Sequence, residues 1–180
     1  MEDLILVGGG GHCKSVIDVV KSTKQYRIVG ILDRHELIGE QILGYDIIGS
    51  DDDIPTLSKT VKNFVITVGQ IKCSSIRRKI YKRLLAEKVN QPVIIASTAQ
   101  VSKYAMIGKG TVIHHNAFVN ASCTIGNCCI VNSGAIVEHD SDVGDFCHIS
   151  TGVIINGTCN VGSDTFIGSG TVLNNNIEIA

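Results

Sequence analysis

The stretch "GAIVEHDSDVGDFCHISTGVIINGTCNVGSDTFIGSG", residues 134 to 170, decides how the second half of the chain folds. Val137, Val143, Ile149, Ile155, Val161 and Ile167 recur at every sixth position, and the series runs without a gap from Ile95 to Ile179. Two residues ahead of the branched ones stand mostly small residues, such as Ala135, Ser141, Cys147 and Cys159. A strict period of six is the hexapeptide repeat of a parallel β-helix. Each unit makes one flat side of a prism: the branched residue fills the axis, and the small one lets the chain turn the corner. Gly108, Gly126, Gly144 and Gly162 follow the branched residue once in eighteen positions, so one corner repeats coil after coil. Coils of this kind bond only to their neighbours, and the length predicts about four of them.

The composition agrees with a narrow prism, since tryptophan is absent and aromatic residues make up only 4%. Of the seven cysteines, Cys123, Cys129, Cys147 and Cys159 fall on the small inward position. With an odd count and no C-x-x-C pair, the thiols read as structural and reduced rather than as a disulfide or metal set. No metal spacing links the six histidines, so no metal is expected.

The first ninety residues follow another rule. "LILVGGGGH", "CKSVIDVVKS", "YRIVGILD", "NFVITVG", "SSIRRKIYKRLLAEKV" and "PVIIA" alternate buried strand patterns with amphipathic helix patterns. That alternation predicts a small Rossmann-like parallel sheet over residues 1–92, ahead of a left-handed β-helix over 93–180. The glycine run Gly8 to Gly11 sits where the first strand meets the first helix, so backbone can approach a phosphate at a helix N-terminus. A full dinucleotide fingerprint fails, because a frame begun at Gly8 needs glycine where Cys13 stands. Asp33, at the end of the second strand, is placed to accept hydrogen bonds from a ribose or base. Gly10, Gly11 and His12, then Asp33 and Arg34, then Val68, Gly69 and Gln70 at the end of the third strand, are the candidate contacts of a nucleotide or nucleotide sugar. A purely structural glycine turn is the alternative.

A net charge of −1 and 44% apolar residues describe a soluble globular chain with no call for nucleic acid. The apolar run Leu4 to Val7 is far too short for a signal segment or a membrane span, so a cytoplasmic protein is expected.

With "VGGGGHCKSVIDVV", "GILDR" and "VEHDSDVGDFCHISTGVIINGTCNVGSDTFIGSGTVL" in this order, the chain resembles the bacterial sugar acyltransferases that join a small Rossmann-like domain to a left-handed β-helix. Sialic acid O-acetyltransferases and UDP-4-amino-sugar N-acetyltransferases of surface-glycan synthesis belong to that family. The resemblance implies a homotrimer, acetyl-CoA as co-substrate between adjacent prisms, and a nucleotide sugar held by the first domain. It implies His139 as general base, Asp140 as its carboxylate partner, Asn132 and His148 as polar groups at the acetyl site, and Gly157 as the residue past which the thioester arm runs. Arg34 stands where amino-sugar N-acetylating members commonly carry a second acid. The end at Ala180 falls in mid-repeat, where members usually continue through another coil and a basic tail, so a shortened prism is expected.

The chemistry is consistent with these roles. Transfer from a thioester needs a base that titrates near neutrality and donors for the thioester oxygen, and an adjacent carboxylate can fix the tautomer of the base. No serine or cysteine stands out as a nucleophile, which favours direct transfer to the acceptor. His114 and His115, without a flanking acid, read as surface residues. Three functions therefore stand as expectations: acetylation of a nucleotide-linked amino sugar, O-acetylation of a sialic acid, and non-catalytic binding of a nucleotide sugar.

Overall fold

The computed structural model describes all 180 residues. They divide into two compact units, one of Met1–Gly69 with Ser75–Pro92, the other of Gln70–Ser74 with Val93–Ala180.

In the first unit, β1 (Glu2–Val7), α1 (Gly11–Thr23) and β2 (Tyr26–Leu32) form a right-turning α/β start, followed by β3 (Gln41–Ile42), β4 (Tyr45–Gly49), α2 (Ile54–Leu57), β5 (Asn63–Ile66) and α3 (Ser75–Ala86). The sheet order is β3-β4-β2-β1-β5. Leu4, Ile5, Leu6 and Val7 are completely buried, as an interior parallel strand requires. Helix α1 covers the sheet with Cys13, Val16, Ile17, Val19 and Val20, a single apolar stripe. The sheet is mixed rather than purely parallel, because β3 and β4 form an antiparallel hairpin. Its two turn residues, Leu43 and Gly44, both have positive φ, the geometry that matches the twist of hairpin strands. A leucine in that turn left no signal in the sequence. In the "PVIIA" segment, Ile94–Ile95 pairs with Val112–Ile113 and opens the β-helix, where the six-residue series begins.

The second unit is a left-handed β-helix of fifteen two-residue strands arranged in three parallel sheets of five. Its first face stacks the strands from Ile94–Ile95 to Phe166–Ile167, its second those from Gln100–Val101 to Val172–Leu173, and its third those from Met106–Ile107 to Glu178–Ile179. Strand partners lie eighteen residues apart, as in Phe118↔Ile136↔Ile154. Five coils thus stack where about four were expected, since the fifteen branched positions from Ile95 to Ile179 make five full turns of three. The branched row from Ile113 to Ile167 forms one buried core column.

The small inward row does more than save space. Thr111 Oγ1 donates to Gly126 O at 2.7 Å, Cys129 Sγ to Gly144 O at 3.1 Å, Ser141 Oγ to Asn156 O at 3.0 Å and Cys147 Sγ to Gly162 O at 3.1 Å. Each donor reaches fifteen residues ahead into the next coil, which explains why Thr, Cys and Ser recur there beside Ala. Three residues past each branched one, a left-handed backbone turns the corner, as at Asn116, Ser122, Cys128, Asp140 and Phe146.

Candidate active site

In the first unit the loop after β1 is pinned from two sides. Gly8 has φ +111, and a Cβ there would lie 2.8 Å from Val68 N; Thr67 Oγ1 donates to Gly8 O at 2.5 Å. Asp33 accepts from Gly9 N at 2.5 Å and from Arg34 N at 2.7 Å, so both carboxylate oxygens hold the glycine loop and the strand end. The buried Arg77 of α3 donates from Nη1 to Val68 O at 2.5 Å and fixes the other loop.

These anchors shape a cleft of about 450 Å³ at the carboxyl ends of the strands, where ligands of parallel sheets bind. Gly8, Asp33, Arg34 and Val68 line it. Ser50, Asp51, Lys79 and Arg83, which sequence reasoning did not single out, line it too. The spacing of Lys79 and Arg83, four residues apart on one face of a helix, was the available signal. Gly10, Gly11 and His12 lie at the start of α1, outside this lining. A side chain at Gly10 or Gly11 would meet nothing within 4 Å, so this turn at the start of α1 is open on the side-chain side. Burial raises the carboxyl pKa of Asp51, with Arg83 and Lys79 opposing that shift.

In the β-helix, His139 and Asp140 occupy the corner between the second and third faces. His139 Nδ1 lies 2.8 Å from Asp140 Oδ2, and both side chains are more than half exposed. The left-handed backbone of Asp140, φ 59, turns its carboxylate back toward the preceding ring. Since a carboxylate only accepts, Nδ1 carries a proton, so in the neutral ring Nε2 is the nitrogen with the lone pair. Gly157, one coil further on, lies under the ring: a Cβ there would be 2.7 Å from Cε1 and 2.9 Å from Nε2 of His139. On the same corner Asn120 Nδ2 donates to Glu138 Oε2 at 2.6 Å, so Glu138 is engaged with the preceding coil rather than with the imidazole.

His148 and Asn132 are elsewhere. His148 is on the first face, on the side of the prism opposite the His139 corner, and only 8% exposed. Its Nδ1 is 2.5 Å from Gln70 O, its Nε2 is 3.4 Å from Asn132 Nδ2, and its ring meets Phe166 edge-on at 5.2 Å. Gln70 therefore lies in the β-helix unit and not in the nucleotide cleft; its Nε2 donates to Phe146 O at 2.6 Å. Within one chain the structure joins His139, Asp140 and Gly157, and separately Asn132, His148 and Gln70. No group of three or more His, Cys, Asp or Glu side chains is arranged to hold a metal ion.

His114, read from sequence as a surface residue, is 1% exposed, one coil before Asn132 on the same corner. On this first face the outward residues Ile94, Val112, Ile130 and His148 are buried as well, Phe166 alone being exposed, and periodicity alone could not show that. Burial, reinforced by His148 and His115, pushes its pKa down from 6.5 to about 4. Because the folded value lies below the unfolded one, the unfolded chain takes up the proton first as pH falls. Stability should therefore decline from about pH 6.5 toward about pH 4, by up to about 3 kcal/mol. Urea midpoints across that window should fall less in His114→Gln than in the unaltered protein; parallel curves would contradict the assignment.

Three kinds of comparison agree with this architecture. The PglD N-terminal domain family matches residues 3–84. UDP-N-acetylbacillosamine N-acetyltransferase of Bacillus subtilis (strain 168) is 31% identical over 115 residues, which cover 63% of this chain and 51% of that protein. The match thus spans about half the length of this curated relative. The acetyltransferase domain of PglB from Neisseria gonorrhoeae, solved in complex with acetyl coenzyme A, is 26% identical with a TM-score of 0.82, covering 99% of this chain and 92% of that one. A mutant of perosamine N-acetyltransferase from Caulobacter crescentus, solved with CoA and GDP-perosamine, shares the fold with a TM-score of 0.85 at 23% identity, covering 100% and 92%.

Proposed function

We propose that the chain is a hexapeptide-repeat sugar acetyltransferase, like the proteins it is similar to, and that it transfers an acetyl group from acetyl-CoA to the free amine of a nucleotide-linked sugar. The observation that carries the reading is the His139–Asp140 pair over Gly157, with an exposed Nε2 lone pair. The amine attacks the thioester carbonyl, His139 Nε2 takes the amine proton, and the C–S bond breaks to release CoA, whose sulfur takes up a proton. Asp140 holds the tautomer in which Nε2 is the base. The cleft with Asp33, Lys79 and Arg83 suits a nucleotide diphosphate, with cations for the phosphates and carboxylates for ribose or base hydrogens.

The second face of the prism supports a homotrimer. Its outward row, Gln100, Phe118, Ile136, Ile154 and Val172, is apolar after the first residue and nowhere fully buried. The outward row of the third face runs Met106, Thr124, Asp142, Asn160 and Glu178, which is polar after the first residue. An apolar strip on a short repeat suits a subunit contact. His139 of one subunit and the Asn132–His148 pair of another would then share one site, which a single prism cannot assemble. Ile154→Glu should shift the mass seen by light scattering from trimer toward monomer; a monomer in the unaltered protein at micromolar concentration overturns the shared site.

No helix is long and apolar enough to cross a membrane. The free thiols, six of seven buried, support a reducing, cytoplasmic setting.

The reaction is tested by free-thiol release with acetyl-CoA and a panel of UDP-amino sugars, GDP-amino sugars and sialic acids. Turnover with a nucleotide amino sugar is expected. Turnover with sialic acid alone reassigns the acceptor, and none with any of them removes the reading.

A further inference from the structure

The polar chain around His148 begins and ends on backbone groups, whose donor and acceptor roles are fixed by chemistry. At one end Gln70 O can only accept, so His148 Nδ1, 2.5 Å away, carries the proton. At the other end Ser133 N can only donate, so the Asn132 atom 2.8 Å from it is Oδ1. The amide is thereby oriented with Nδ2 toward His148 Nε2, at a longer 3.4 Å, and a neutral imidazole accepts there. All three bonds run in one direction. Reversing any one of them sets donor against donor at the next, which removes the usual freedom of imidazole tautomer and amide flip. Asn132 Nδ2 retains a second hydrogen with no protein acceptor.

The terminal carbonyl is held by its own residue and its neighbours. Gln70 is 2% exposed, and its Nε2 donates to Phe146 O at 2.6 Å and reaches Asp164 O at 3.5 Å. Ser74 Oγ bonds Asp164 Oδ1, closing the other end of the segment. Gln70–Ser74 is thus a strap on the β-helix unit, whose first residue aims a carbonyl at His148.

We infer that Gln70 is a positioning residue: through its anchored carbonyl it holds His148 as the Nδ1–H tautomer and so makes Asn132 present an N–H, rather than an oxygen, to the thioester. The use of that N–H, as a donor to the oxyanion that forms when the amine attacks, rests on the acetyl-transfer reading. The tautomer itself does not. Removing the anchor costs the relay its fixed end while leaving His139, Asp140 and the nucleotide cleft untouched.

The test uses the full chain with ¹⁵N-labelled histidine, the His148 signals being assigned by their loss in His148→Gln. In the unaltered protein Nδ1 should resonate as a protonated and Nε2 as an unprotonated nitrogen. Gln70→Glu, which turns an acceptor toward two carbonyls, and Gln70→Met, which keeps length without a donor, should each move His148 toward a mixture of tautomers. Both should lower kcat by about tenfold or more, with KM for the nucleotide sugar unchanged and cooperative melting retained. An Nε2–H tautomer in the unaltered protein overturns the relay, and so do unchanged spectra in both folded variants. Altered spectra with full kcat overturn the positioning role. If the unaltered protein turns over no acceptor, the acetyl-transfer reading fails along with the use assigned to Asn132, while the spectra still decide the relay.

Discussion

Replacing His139 with alanine should lower kcat by about 10² to 10⁴-fold, the range of a lost general base. Affinity for the nucleotide sugar should stay nearly constant, because the cleft formed by Asp33, Val68, Lys79 and Arg83 belongs to the other unit. Asp140→Asn should cost less, since the amide can still meet Nδ1 but no longer favours the Nδ1–H tautomer as a carboxylate does. Both variants should melt close to the unaltered protein, because the two side chains are more than half exposed. Single-turnover thiol release, with nucleotide-sugar binding followed by calorimetry, separates these quantities. Full kcat in His139→Ala would mean that the dyad is a decorated corner and that the base lies elsewhere.

The largest loss of stability should come from Gly126→Ala. A Cβ at Gly126 would stand 2.6 Å from Asp145 N and 2.6 Å from Gly144 C, both backbone atoms of the next coil. Gly108 and Gly144 meet the coil above them in the same way, so this corner is stacked backbone on backbone. Rotamer changes cannot relieve such contacts; neighbouring coils have to separate, breaking bonds such as Gly126 N to Val143 O. We expect a destabilisation of at least about 3 kcal/mol, the upper range for overpacking. Chemical denaturation should read it as a lower midpoint, and Gly134→Ala, where φ is positive but space is open, should cost less. Equal midpoints for the two would refute the stacking argument.

The β-helix was legible because its branched inward row repeats without exception, and that row is buried from Ile113 to Ile167. The hairpin at Leu43–Gly44 was not legible, since its turn carries leucine where such turns favour Asn, Asp or Gly. In the candidate site, His139 and Asp140 could be read from an acidic and basic run that interrupts a weakly charged repeat. The burial of His114 could not, because an outward position in a repeat says nothing about what lies against that face. The placement of Gln70 was hidden for a related reason. Its position after a strand end pointed to the nucleotide cleft, while the long-range bonds to Phe146 and His148 that place it in the β-helix have no local signature.

The placement of Gly157 beneath His139 has a consequence for how the gene can change. The base and the glycine that makes room for it are separated by one whole coil, so their meeting depends on counting and not on local sequence. Inserting a single residue between them would seat the ring over Asn156 and would turn every later inward side chain out of the core. Inserting six would restore the core but carry each later outward row to the next face of the prism. Only an insertion or deletion of eighteen leaves every column in place. Point substitutions along the exposed third face, where Thr124, Asp142, Asn160 and Glu178 point outward, disturb no column, while a gap that keeps all three faces in register has to span complete coils.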